Sequence, residues 1–162
     1  MSRYTDLAYA QDDEGIFDLI LDGTGDFETT DGLETAITCS LFSDARAYAD
    51  DVADPMKRRG WIGDLVSDVP GDRHGSWLWL YEQARGTQEV ILGVRNAARQ
   101  SLEWMIEEKL VTSVDVQAVF TPDQRALRLT IVTESPRGGT SVRAYELALA
   151  TRNGTLARLG AI

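Results

Sequence analysis

The chain carries one cysteine, Cys39, and one histidine, His74, in 162 residues. A lone thiol excludes an internal disulfide and a thiolate metal cluster, and it points to a reducing compartment. A lone imidazole could hardly assemble a transition-metal site. His74 also lacks the surroundings of a catalytic triad, because no nucleophile motif of the GxSxG kind occurs. The reading for His74 is an exposed loop residue. No apolar run approaches the ~20 residues of a membrane helix, and the first residues show no basic-then-apolar signal pattern. The expectation is a protein made and used without crossing a membrane by the secretory route. Basic residues are scarce in the front of the chain. Residues 1–55 hold 14 Asp and Glu against Arg3 and Arg46, a local charge of −12 within a total of −10. No basic stripe elsewhere offsets this, which argues against nucleic acid and anionic membranes as partners.

What is present is an ordinary globular composition, 43% hydrophobic and 26% charged. No repeat, low-complexity tract or linker divides it, so a single domain over residues 1–162 is expected. Its organising stretch runs from Thr87 to Leu149, the core unit, with residues 1–55 as an acidic N-terminal part. Thr87 can cap a helix whose Ile91, Val94, Ala98, Leu102 and Met105 share one face. Val90, Ala97 and Trp104 form a flanking row, and Lys109 in the last turn suits the negative helix end. Val114, Val116, Ala118 and Phe120 then alternate with Ser113, Asp115, Gln117 and Val119 as a half-buried strand. Thr121-Pro122-Asp123-Gln124 reads as a turn, Leu127, Leu129 and Ile131 as the returning strand, and Ser135–Gly139 as a second turn. Residues 142–149 make a third strand, with Tyr145, Leu147 and Leu149 on one side. These features predict an α+β fold: an N-terminal hairpin and helix, then a long helix packed on an antiparallel three-stranded meander.

Ahead of this core, Ile16 to Leu21 reads as a short strand, with Asp26 to Thr30 as its hairpin partner. Asp31 is a candidate N-cap, with Glu34 three residues on completing a capping box. Leu33, Ala36, Ile37, Ser40 and Leu41 continue as an amphipathic helix ending near Ser43-Asp44. The basic run Lys57-Arg58-Arg59 before Gly60-Trp61 suggests a loop folding back, its cations toward the acidic front. Ser76 to Glu82 is either a helical turn or a short strand.

Several chemical patterns fail on inspection. Asp22, Thr24 and Asp26 have the first spacings of a calcium loop, but Phe27 and Leu33 stand where the turn glycine and bidentate Glu belong. Cys39 between Ile37 and Leu41 reads as a small buried hydrophobe without cationic neighbours. Carboxylates are abundant, and Trp77 and Trp79 could line a glycosidase cleft, yet nothing ties them to particular acids. A lysozyme-like carboxylate hydrolase is the alternative reading. Gly138-Gly139 joins strands instead of opening a helix, so it is a turn and not a phosphate loop. No cofactor or metal is expected.

What remains is surface for partners. Tryptophan anchors interfaces as well as cores, which singles out Trp61 and Trp104. The strand after Arg137, carrying Arg143 and Tyr145, is a candidate edge for strand addition.

The ordered segments DGLETAITCSLFSDARA (31–47), RRGWIGD (58–64), GSWLWLYEQAR (75–85) and AARQSLEWMIEEKLVTSVDVQAVF (97–120) resemble the Mu-like phage baseplate wedge family. The likeness spans roughly residues 15–150. It implies a non-enzymatic baseplate part, similar to the small wedge protein of contractile tails, present in several copies around a ring. The implied partners are larger wedge proteins and the tail sheath protein, whose first ring it would template. The implied location is the virion tail baseplate, with assembly in the host cytoplasm. The wider family often ends its long helix with Glu-Pro-Arg. Here Glu107-Glu108-Lys109 keeps the charges without the Pro and Arg, which adds Glu107 and Lys109 to the candidate partner residues.

Overall fold

The computed structural model describes residues 6–11, 17–30, 33–69, 71, 73–82, 84, 86–122, 126–148 and 158–161. Its centre is the predicted α+β unit. Helix α2 (Gln88–Ser101) starts where Thr87 Oγ1 accepts the Val90 amide at 3.3 Å. The Ser101 hydroxyl donates to the Ala98 carbonyl at 2.9 Å, a contact that bends helices. The regular helix yields there, and Leu102 and Glu103 bond back three residues instead of four. A short α3 (Trp104–Glu107) follows. The predicted long helix is thus present but bent, and the tightened turn keeps Leu102 and Met105 fully buried. The end is a Schellman motif. The Leu110 amide bonds Met105 O at 2.9 Å and the Lys109 amide bonds Ile106 O at 3.0 Å. Lys109 accordingly adopts the left-handed conformation, φ +59°.

Strands β5 (Ser113–Phe120), β6 (Ala126–Glu134) and β7 (Thr140–Ala148) form the antiparallel meander. The register sets Val116, Ile131 and Arg143 in one cross-strand row, then Ala118, Leu129 and Tyr145, then Phe120, Leu127 and Leu147. Those rows face α2, and Leu127, Leu129 and Ile131 on the middle strand are fully buried there. On the other face Arg128 meets Glu146 at 2.7 Å, directly across the strands. Gly138 and Gly139 close the second turn, as expected, with φ +84° and +112°. Asp123, Gln124 and Leu149 lie outside the described residues.

A fourth strand, β8 (Arg158–Ala161), pairs antiparallel with β7 at Tyr145 to Leu147. The strand after Arg137 is therefore not a free edge along its length. Its second half is covered by the chain itself, and only the part before Tyr145 lies outside that pairing. The sequence reading missed β8 because Arg158–Ala161 has no alternation long enough to announce a strand.

The front assembles differently from its prediction. The hairpin exists, through the Leu21–Phe27 bridge and the Glu28 amide on Ile20 O at 2.8 Å. Its main pairing, however, goes to residues the reading passed over. Tyr9–Gln11 (β2) pairs with Phe17–Leu19 (β3), and Asp6–Leu7 (β1) with Thr29–Thr30 (β4). Helix α1 (Glu34–Phe42) begins at Leu33 without a side-chain cap, and Asp31 lies outside the described residues. Thr35 instead bonds the Leu7 carbonyl, tying the front strands to α1. Ile37 and Leu41 join Leu78, Val94 and the sheet in one core.

Candidate partner-binding surface

Between α1 and α2 the backbone is irregular, and side chains organise it. Trp77 and Trp79 send their indole N–H groups to the carbonyls of Arg46 and Ala45, at 3.1 and 2.8 Å. Arg46 reaches the carbonyls of Arg59 and Pro55, and Arg58 those of Val52 and Ala53. Arg59 bridges Asp44 and Glu82, both at 3.1 Å, with its guanidinium 4.7 Å above the Trp79 ring. Partial burial works against that charge, but Glu82 and then Asp44 outweigh it and raise the Arg59 pKa. The basic run does fold back on acidic neighbours. Ser76 to Glu82, where helix and strand stood open, contains a 3₁₀ turn at Leu78–Tyr81.

The six candidate partner residues fare unequally. Trp61 is 54% exposed, its ring lying 5.2 Å from that of His74. Trp104 keeps about two-fifths of its surface in water while its indole N–H donates to Ser40 Oγ at 3.0 Å, joining α3 to α1. Glu107 and Lys109 are exposed beside it at the bent helix end. Arg143 is half-buried on the inner sheet face. It bonds Ser141 Oγ at 2.7 Å, while its buried Nε, lacking a hydrogen bond, lies 3.8 Å from Glu34. Tyr145 must be corrected. It has no exposed surface, stacks edge-on against Phe42 and lies 3.5 Å from Thr38 Oγ1. Burial, above all, raises its pKa. Its inward register, shared with Ala118 and Leu129, makes it core and not contact.

Other readings meet the structure as follows. His74 is half-buried, with its Nε2 3.1 Å from Ser43 Oγ. Asp22 folds a local turn, accepting from the Thr24 amide, the Thr24 hydroxyl and the Asp26 amide, and its pKa is lowered, chiefly by that hydroxyl. Cys39 is half-buried.

One surface went unread. A 3₁₀ turn at Ile62–Leu65 holds apolar side chains out in water: Ile62 is 78%, Leu65 75%, Val66 80% and Val69 61% exposed. The available signal was the string IGDLV, apolar positions without a second hydrophobic segment to cover them.

Comparison with known proteins places the chain in a family. The profile of the family described as "Phage protein GP46" matches residues 33–140, which include α1, the irregular lobe, the bent helix and most of the meander. The chain is 34% identical over 128 residues to "Mu-like prophage FluMu protein gp46" of Haemophilus influenzae, covering 79% of this chain and 86% of that protein. It is 37% identical over 103 residues to "Baseplate protein gp46" of Escherichia phage Mu, covering 62% of this chain and 68% of that protein.

Proposed function

Because the chain belongs to the phage protein GP46 family, we propose that it is a wedge subunit of a contractile-tail baseplate, binding larger wedge proteins and templating the first sheath ring. Its role is structural, within a phage tail baseplate, and its location is the virion tail. The observation that carries it is the match to a phage Mu protein named as a baseplate protein. In this reading the subunit is one domain over residues 1–162, present in several copies in a ring and assembled in the host cytoplasm, without enzymatic activity or cofactor.

The surface supports this reading. Partner contacts fall on Trp61 and on the helix end carrying Trp104, Glu107 and Lys109, with Arg143 at the margin of the sheet. The hydrolase alternative gains nothing from Asp44 and Glu82, which converge on Arg59 and form a structural bridge instead of an acid and a base facing a cleft.

The test is genetic and compositional. In an induced lysogen carrying this gene, mass spectrometry of purified tails should find the chain, and its deletion should yield tails without assembled sheath. Absence from purified tails, or normal contractile tails after deletion, would overturn the proposal.

A further inference from the structure

The segment from Gly60 to Gly75 leaves and rejoins the body at two glycines of positive φ, +112° and +95°. A Cβ on Gly60 would lie 2.7 Å from Arg46 Cβ, and one on Gly75 2.4 Å from the Ser43 carbonyl oxygen. Both ends are therefore pressed against residues 43–46, and no larger residue fits either place. Within the loop the Trp61 ring covers Gly63, the His74 amide bonds Asp64 Oδ1 at 3.0 Å, and the His74 ring reaches Ser43. This is a closed loop with adjoining ends, fixed by its own side chains.

Its tip is apolar. Ile62, Leu65, Val66 and Val69 stand in water, as does about half of Trp61, and Met56 ahead of the loop is 91% exposed. Scattered apolar residues on a surface need no explanation, but five within nine positions of one braced loop, Trp61 to Val69, concentrate apolar surface in a short stretch. Bracing lowers the ordering cost of an encounter.

The surrounding charge selects the partner. The lobe's cations are engaged: Arg46 and Arg58 on carbonyls, Arg59 on Asp44 and Glu82, Lys57 on Asp54, and Arg73 4.8 Å above the Tyr48 ring. Asp50, Asp51 and Asp68 are exposed and pair with no cation among the described residues. A second copy would bring the same excess of negative charge to the contact. A groove lined with apolar side chains and rimmed with Lys and Arg would match both the apolar residues of the loop and the exposed acids that the same stretch of chain carries. We infer that residues 56–69 are a docking arm that seats in such a basic-rimmed apolar groove on a larger wedge protein. This rests on the baseplate reading and assigns the arm as the contact.

The experiment co-expresses the full chain with the baseplate proteins encoded beside it and titrates it against the one that co-purifies. Ile62→Ser with Val66→Ser should weaken binding about 100-fold, as removal of paired interface anchors does. Asp50→Lys with Asp68→Lys should weaken it about 10-fold at low ionic strength and flatten its salt dependence. All four positions are exposed, and an unchanged unfolding midpoint verifies the fold. Wild-type affinity in both double variants would overturn the arm while leaving the baseplate reading intact. A concentration-dependent dimer of the wild type, abolished by Ile62→Ser with Val66→Ser, would give the patch to a second copy and overturn the inference. Failure of the wild type to bind any baseplate protein would remove both readings together.

Discussion

From Thr87 to Phe120 and from Ala126 to Ala148 the backbone is held mainly by its own bonds: helix bonds, a Schellman end and continuous ladders from β5 to β7. From Ser43 to Glu82 side chains join short backbone turns in that task, as guanidinium and indole donors reach the carbonyls of residues 45–59. The first region contributes most of the fully buried apolar residues, whereas the second holds Ile62, Leu65 and Val66 outward. Regular elements can hide a whole apolar face, because their period puts every second or every third-to-fourth residue on one side. A loop pinned by polar contacts has no such period, and its apolar residues stay on the surface for a neighbour to cover.

The largest predicted effect tests that contrast directly. Leu129→Ala, at a fully buried site on the middle strand, should cost about 2–5 kcal/mol in urea unfolding. Leu65→Ala, at a site 75% exposed, should stay within about 0.5 kcal/mol. Equal losses at the two positions would erase the distinction. Next comes Arg59→Ala, which removes the bridge between Asp44 and Glu82 and its contact with Trp79. Discounted for the partial exposure of these groups, the loss should be about 1–2 kcal/mol. Amide exchange should accelerate in residues 44–60 and not in the meander. Arg59→Gly should cost about 1 kcal/mol less than Arg59→Ala, because the φ of +44° strains any side chain.

A pH series sharpens the comparison from the core side. Burial raises the Tyr145 pKa above its unfolded value near 10, so above that pH the unfolded chain gives up a proton that the folded one keeps. Stability from Tyr145 is complete below pH 10 and falls as pH rises toward the folded pKa. Alkaline titration of the unfolding midpoint should show this decline, and Tyr145→Phe should reduce it. A decline unchanged in Tyr145→Phe would assign it to other groups. The smallest effect belongs to Lys109→Gly, which relieves the left-handed residue of the Schellman motif and should stabilise by about 0.5–1 kcal/mol. The same variant removes a cation from the proposed partner surface. A loss of partner binding without loss of stability would separate its two roles.

Local periodicity made the core legible in advance. The helix face from Ile91 to Met105 and the alternation at Val116, Leu129 and Ile131 identified most of the buried rows. The same alternation contained the answer for Tyr145, since a residue sharing a face with Leu147 belongs to the core side of its strand. Assigning it to a partner followed from expecting a bare edge. Of the surface, Trp61 and Trp104 were legible because large aromatics are rare and conspicuous. The apolar tip was not, because exposure is a property of what lies opposite a residue.

The sequence by itself determined the α+β order of elements, the inward faces of the long helix and meander, and the surplus of acid in the front. All of these depend on neighbours a few positions apart or on composition. Only the tertiary structure decided that Arg158–Ala161 closes half of the β7 edge, that Asp6–Gln11 pairs with two separate segments, and that Arg59 joins Asp44 to Glu82. Each is a contact between distant parts of the chain, where backbone groups and charges find partners that no local pattern specifies.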